Sequence, residues 1–265
     1  MTALVDRYDL MILDLDGVLV LGDRPIEGAI EAVSRLRALG KKIKFVTNNA
    51  SRRVDEVEQM LSGMGIQAAA NEVLTSAAAA AALLAEKYPA RSPILVVGAP
   101  ALQDEVVAAG LTPVTSADDG PVAVVQGYGP QVCWADLAEA CIAVRAGAFW
   151  VATNRDRTLP TPRGELPGNG ALVAALATAL DRQPDLVVGK PEPALFQAAA
   201  RDAGSTGTLI IGDRLDTDIA GAHRAGMDSL LVLTGVATAQ AAASAPPDQR
   251  PTYVAKDLSG LFAVA

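Results

Sequence analysis

Apolar and polar positions alternate in a regular way along this 265-residue chain. A short apolar run gives way to a polar cluster, and apolar residues at helical spacing come next. The runs at 10–13, 43–46, 73–74, 94–97, 122–126, 148–152, 186–188, 208–211 and 229–233 read as buried strands. Between them, 28–39 carries Ala29, Ile30, Val33, Leu36 and Leu39 on one face, and Gly40 supplies a stop. Helices are also expected at 52–63, 101–109, 134–146, 170–180, 193–203 and 219–225, with an alanine-rich, solvent-tolerant one at 77–88. Residues 21–25 read as a loop. The stretch 157–166, with Pro160, Pro162 and Gly164, reads as an irregular hairpin, and the tail reads as loop until Tyr253-Val254. Strand–helix alternation of this kind predicts an α/β fold with a doubly wound parallel sheet. The alternation restarts at Ser92-Pro93, as a second α/β unit inserted into the first would require. The expected division is a core of 1–77 and 184–265 around an insert of 78–183.

Composition narrows the setting without altering the fold. The chain is 51% apolar and 20% charged, an ordinary globular balance. Its net charge is −8, and Lys41-Lys42-Ile43-Lys44 is its one basic run, which argues against nucleic acid as a partner. The longest apolar tract, 77–85, is too short to span a bilayer, so no membrane partner is expected. Asp6, Arg7 and Asp9 precede any apolar stretch, unlike a signal peptide. Cys133 and Cys141, eight apart in a helical pattern, read as two small core residues. A cytoplasmic location is the expectation.

The candidate chemistry lies where strands end. In open α/β sheets, ligands and catalytic groups sit just past the carboxyl ends of strands. The first strand ends in Asp14-Leu15-Asp16-Gly17, and like charges this close call for a compensating cation. A hard divalent ion such as Mg²⁺ suits oxygen ligands and keeps waters for a substrate phosphate. Other strands end at Thr47-Asn48-Asn49, at Gly189-Lys190-Pro191, and at Gly212-Asp213-Arg214-Leu215-Asp216-Thr217-Asp218. Gathered in one sheet, these groups fit phosphoryl transfer. A carboxylate attacks, a hydroxyl, amide N–H groups and an ammonium hold the equatorial oxygens, and a second carboxyl protonates the leaving oxygen.

In order and spacing, these four segments resemble the haloacid dehalogenase superfamily of phosphatases. The likeness is to the branch with NagD-type, 4-nitrophenyl phosphate, pyridoxal phosphate and phosphoglycolate/glycerol-3-phosphate phosphatases, which has a Rossmann-like core and a large inserted α/β cap. The resemblance implies roles. Asp14 is the nucleophile and a metal ligand. Asp16 is the general acid and base, and its carbonyl also binds Mg²⁺. Asp213 and Asp218 serve the metal, the latter directly or through water. Thr47, the Asn48 backbone and Lys190 hold the phosphoryl group. Thr153-Asn154-Arg155-Asp156-Arg157 is similar to the branch's Thr-Asn-x-Asp segment, which makes Asp156 and Arg157 candidates for substrate binding. Arg155 stands where relatives often carry an uncharged residue. Asp216 is expected to cap a helix or support the site from behind, and His223 to be structural. The implied substrate is a small phosphorylated metabolite. Glycerol 3-phosphate comes first, on the Gly-Asp-Arg-Leu-Asp-Thr-Asp and Leu233-Thr234-Gly235-Val236 segments, with phosphoglycolate second; sugar phosphates and pyridoxal phosphate stay open. Apolar cap surface would support a homodimer. A phosphate-sensing protein without turnover is the rival from another class, and the acid at Asp16 and the lysine at 190 argue against it.

Overall fold

The structure is a computed structural model that describes residues 2–161 and 163–263. The chain forms two compact units. One comprises Met1–Thr47, Asp55–Leu74 and Lys190–Ala265; the other comprises Asn48–Val54 and Thr75–Gly189.

The first unit is built on a six-stranded sheet. Its strand order is Tyr253–Ala255, Asp228–Val232, Thr208–Gly212, Leu10–Asp14, Lys42–Thr47 and Val73–Thr75. Leu10, Met11, Ile12 and Leu13 are all fully buried, as a central parallel strand covered on both faces requires. Register then fixes which side chains share an end. Leu13 pairs with Ile211 and Asp14 with Val46, all in parallel, so Asp14, Thr47 and Asp213 emerge at the same carboxyl edge. Helices connect the strands, among them Ala29–Ala38, which Gly28 and Gly40 bracket, both in the left-handed region.

The second unit carries its own parallel five-stranded sheet in the order Leu186–Val187, Phe149–Ala152, Ala123–Gln126, Pro93–Val97, Thr112–Val114. Its core groups Leu95, Val97, Val124, Val144, Trp150, Val173 and Leu176, with Trp150 fully buried and its indole N–H donating to Gln126 Oε1 at 3.1 Å. Two parallel sheets with strand–helix alternation are the α/β architecture that the hydrophobic pattern implies.

Local expectations fail in informative places. Residues 21–25 form no plain loop: Val20–Leu21 and Arg24–Pro25 make a two-rung antiparallel hairpin, with Gly22 at φ +64° in the turn. The 157–166 hairpin is regular, with four antiparallel pairs from Thr158↔Pro167 to Thr161↔Gly164. Pro162 lies outside the described residues. The strand Thr112–Val114 and the helix Ala239–Ala243 escape the sequence reading. The helix is nearly all alanine with Gln240, which hides its period, yet Thr238 caps it by accepting Ala241 N–H at 3.1 Å. Cys133 is exposed rather than in the core, because it stands just before the Trp134–Arg145 helix, where its N–H binds Asp136 at 2.8 Å. Cys141 is partly buried against that unit's core.

The alanine-rich helix Ser76–Lys87 is the largest departure. It is not a solvent-tolerant helix, for Ala77, Ala79, Ala80, Ala81 and Leu84 are buried. Small side chains let it pack closely on Pro100–Ala108 in the same unit. Ala80→Leu is therefore expected to destabilise the protein by about 1–3 kcal/mol through overpacking, seen as a lower midpoint in urea unfolding. An unchanged midpoint would mean that the interface has room.

Candidate active site

At the carboxyl edge of the first unit's sheet, three carboxylates face one ammonium. Lys190 Nζ lies 2.7 Å from Asp14 Oδ1 and 2.7 Å from Asp218 Oδ1. The lysine side chain is 4% exposed, that of Asp14 11% and that of Asp218 0%. Asp14, Asp213 and Asp218 each offer an oxygen within 4.8 Å of the others. Burial works against the charge on Lys190, but Asp14 and Asp218 outweigh it and raise its pKa far above the ordinary lysine range. Burial likewise pushes the Asp14 carboxyl well up. Lys190 opposes that shift, and Asp218 and Asp213 add to it. Asp213 is raised to about 6 by burial and by Asp218, against the pull of the Val236 N–H, Lys190 and Arg214.

Backbone turns aim these side chains. Asp213 comes directly after the strand Thr208–Gly212, and its Oδ2 accepts Val236 N–H at 2.7 Å. Asp218 sits in a π-helical turn, Leu215–Ile219, and its Oδ2 accepts Arg214 N–H at 3.2 Å. After Asp14, the carbonyl of Leu15 accepts the N–H groups of Leu19 and Val20, both at 2.9 Å, and Gly17 turns at φ +83°. A Cβ at Gly17 or at Gly235 would run into the Asp213 carboxylate, so glycine at both positions is what lets the backbone pass so close. Thr234 Oγ1 donates to Gly17 O at 2.6 Å and ties the two segments together.

Among the described residues, the carboxylate group suits a hard cation. It offers only oxygen donors. Asp213 Oδ1 is buried with no hydrogen-bond partner, a state that a bound ion would relieve. Three carboxylates against one ammonium leave an excess of negative charge that a divalent ion would balance.

The other residues singled out in the sequence stand outside the three-carboxylate group. The Asp16 side chain is exposed and stands outside the three-carboxylate group. Thr47 is buried at the end of its strand in the first unit. Asn48, Asp156 and Arg157 belong to the second unit. There Asn48 Nδ2 donates to both Asp156 oxygens, at 3.1 and 3.2 Å, while Arg157 is exposed. Arg155 is exposed and donates to Gln183 at 2.9 Å. Asp216 forms a two-pronged pair with Arg214, at 3.1 and 2.9 Å, and His223 is exposed. Sequence reasoning overlooks Ser76 and Asn154, which both hold the Asn48 carbonyl, at 2.6 and 2.8 Å. Asn154 lies in the Thr-Asn-x-Asp segment, so a signal was present. Ser76 comes just after a strand, the cue that marks the other sites.

Comparison with known proteins places these features in a family. Residues 11–112 match a family described as haloacid dehalogenase-like hydrolase, and residues 187–261 match one described as HAD-hydrolase-like. A D-glycerol 3-phosphate phosphatase from Mycobacterium tuberculosis is 49% identical over 261 residues, covering 98% of this chain and 73% of that protein. An acid sugar phosphatase from Staphylococcus saprophyticus is 36% identical over 96% of each chain. Among solved structures, a glycerol phosphate phosphatase from M. tuberculosis in complex with magnesium superposes with a TM-score of 0.94 at 48% identity, covering 99% of this chain and 79% of that one. A p-nitrophenyl phosphatase from Archaeoglobus fulgidus gives 0.90 at 31% identity, over 96% and 98%. By sequence and by fold, the chain belongs to the haloacid dehalogenase-like hydrolases.

Proposed function

We propose that the protein is a Mg²⁺-dependent phosphomonoesterase whose preferred substrate is glycerol 3-phosphate. The observation that carries this reading is the buried carboxylate group around Lys190, with an unpartnered Asp213 oxygen inside it. The relative at 49% identity supports the choice of ester. Acid sugar phosphatases at 36% support a sugar phosphate as the second reading.

Each residue has a share of the work. An Asp14 carboxylate oxygen attacks phosphorus, and the bond from phosphorus to the glycerol oxygen breaks. Asp16, exposed beside it in sequence, gives that oxygen a proton. Water then attacks the aspartyl phosphate and loses a proton to Asp16; inorganic phosphate leaves and the Asp14 carboxylate returns. Lys190, the Thr47 hydroxyl and the N–H of the peptide joining Thr47 to Asn48 hold the equatorial oxygens. Asp14, Asp213, the carbonyl of Asp16 and Asp218 are the groups that would hold Mg²⁺, whose charge offsets repulsion between carboxylate and phosphate. The second unit, as the cap, selects the ester, and Arg157 is its candidate for the part of the substrate beyond phosphate. Among the described residues, no helix is long and apolar enough to cross a membrane. The cytoplasm is the proposed location.

The test is phosphate release from glycerol 3-phosphate, 2-phosphoglycolate, a hexose phosphate and 4-nitrophenyl phosphate, with and without Mg²⁺. Mg²⁺-dependent release led by glycerol 3-phosphate is expected. A folded protein that releases phosphate from none of them would sink the enzyme reading. Asp213→Asn replaces one anionic oxygen donor with an amide. The Mg²⁺ concentration for half-maximal activity is expected to rise about tenfold or more, and a wild-type Mg²⁺ titration would reject the ligand role.

A further inference from the structure

Asn48 is gripped from three directions inside the second unit. Ser76 Oγ and Asn154 Nδ2 donate to its carbonyl, and its own Nδ2 donates to both oxygens of Asp156. The grip rests on a buried framework. Ser76 is 0% exposed, Asn154 4% and Asn169 1%. Asn169 Nδ2 donates to Asn154 O at 2.8 Å and to Gln126 O at 3.3 Å. Asn154 Oδ1 accepts Asp156 N–H at 3.1 Å, and Asp156 O accepts Gly170 N–H at 2.8 Å. A Cβ at Gly189 would lie 2.7 Å from Asn48 Oδ1, so glycine is needed there as well. Asp156 is therefore fixed by its own backbone at both ends and turns its carboxylate toward Asn48.

We propose that Asp156 is a positioning residue for phosphate binding that acts through Asn48, rather than a selector of the organic part of the ester. The proposal rests on the reading of the Thr47–Asn48 peptide as a phosphate-binding group. That peptide is planar, so the Asn48 N–H is oriented with the Thr47 carbonyl at the strand's end. Rotations about N–Cα and Cα–C of Asn48 link this N–H to the carbonyl, and rotations about N–Cα and the side-chain bonds link it to the amide; Ser76, Asn154 and Asp156 hold both groups. With those groups fixed, the N–H keeps one direction, and a donor aimed in advance binds phosphate oxygens without reorganising first.

A group that acts on phosphate binding alters every ester alike. In the full-length protein, Asp156→Ala is expected to weaken binding of inorganic phosphate about tenfold by titration calorimetry, with and without Mg²⁺. KM is expected to rise by a similar factor for glycerol 3-phosphate, 2-phosphoglycolate and 4-nitrophenyl phosphate, with a smaller change in kcat. Asp156→Asn keeps a carbonyl acceptor for Asn48 Nδ2 and is expected to recover affinity to within about threefold of wild type. Asn48→Ala should match Asp156→Ala, and the double variant should lose no more than either alone. Unchanged phosphate affinity in Asp156→Ala would overturn the proposal. So would additive losses, or a loss that differs from ester to ester. Calorimetry reads binding without turnover, so an absence of hydrolysis by the wild type would overturn the enzyme reading while this test still gave its answer. Melting temperatures of the variants, expected within a few degrees of wild type because Asp156 sits half-buried on a loop, separate loss of positioning from loss of fold.

Discussion

Asp14→Asn is expected to remove turnover of every ester, by about 10⁴-fold or more, while leaving the fold intact. Asparagine has nearly the same shape, so the strand Leu10–Asp14 and its neighbours keep their register. The amide nitrogen's lone pair is delocalised into the carbonyl, and the neutral amide oxygen is a poor nucleophile. The asparagine carbonyl can still accept from Lys190, which keeps Asp218 as its charged partner, so the fold is expected to hold. The measurement is phosphate release under single-turnover conditions, with circular dichroism to verify the fold. Residual activity near wild type would remove Asp14 from the role of nucleophile and move attention to Asp16.

Lys190→Met is expected to be the most destabilising single change at the site, by about 3–5 kcal/mol when Mg²⁺ is chelated. The lysine is the cation between Asp14 and Asp218, each 2.7 Å away and both scarcely exposed. Methionine fills the stem's volume but leaves two buried carboxylates facing each other and Asp213. A loss of this size is a large part of a domain's whole stability. Its pH dependence has a definite sign. Carboxyls whose folded pKa lies above the unfolded value, as burial already makes those of Asp14 and Asp213, bind more protons when folded. Stability therefore falls as pH rises from the unfolded carboxyl range through the folded pKa, near 6 for Asp213. The deficit of Lys190→Met relative to wild type should be smaller at pH 5 than at pH 8. Urea unfolding at both values checks this, and an equal deficit would show that lost packing, not unpaired charge, is the cause.

Much of this could be read in the sequence because parallel strands buried on both faces leave strong apolar runs, and the polar residues behind those runs stand out. Leu10 to Leu13 and Thr208 to Ile211 are such runs, and the acids behind them converge because register brings their ends level. The features that stayed hidden depend on partners distant in the chain. Nothing local marks Ala79 and Ala80 as buried; only the fold assembled around their helix makes them so. Asn154 and Ser76 carry local cues, a motif segment and a strand's end, but only the fold brings them to one carbonyl, 106 and 28 positions away. The glycine at 235 looks like a turn residue, whereas its need for space comes from Asp213, a different strand's end. Cys133 misled because it lies at the margin of a helical pattern, where periodicity cannot tell the last buried position from the first exposed one.

The division of the chain has a practical meaning for anyone who wishes to exchange the second unit for that of a relative. It is not a single cassette. Residues 48–54 belong to it, although 55–74 return to the first unit before Thr75 begins the longer stretch. A graft of 75–189 alone would separate the carbonyl of Asn48 from the Ser76 and Asn154 with which it is matched. A transplant that respects the division must carry both stretches and keep all four junctions, at 47/48, 54/55, 74/75 and 189/190. Two of these adjoin Thr47 and Lys190, so a chimaera's seams fall next to two of the residues proposed to hold phosphate.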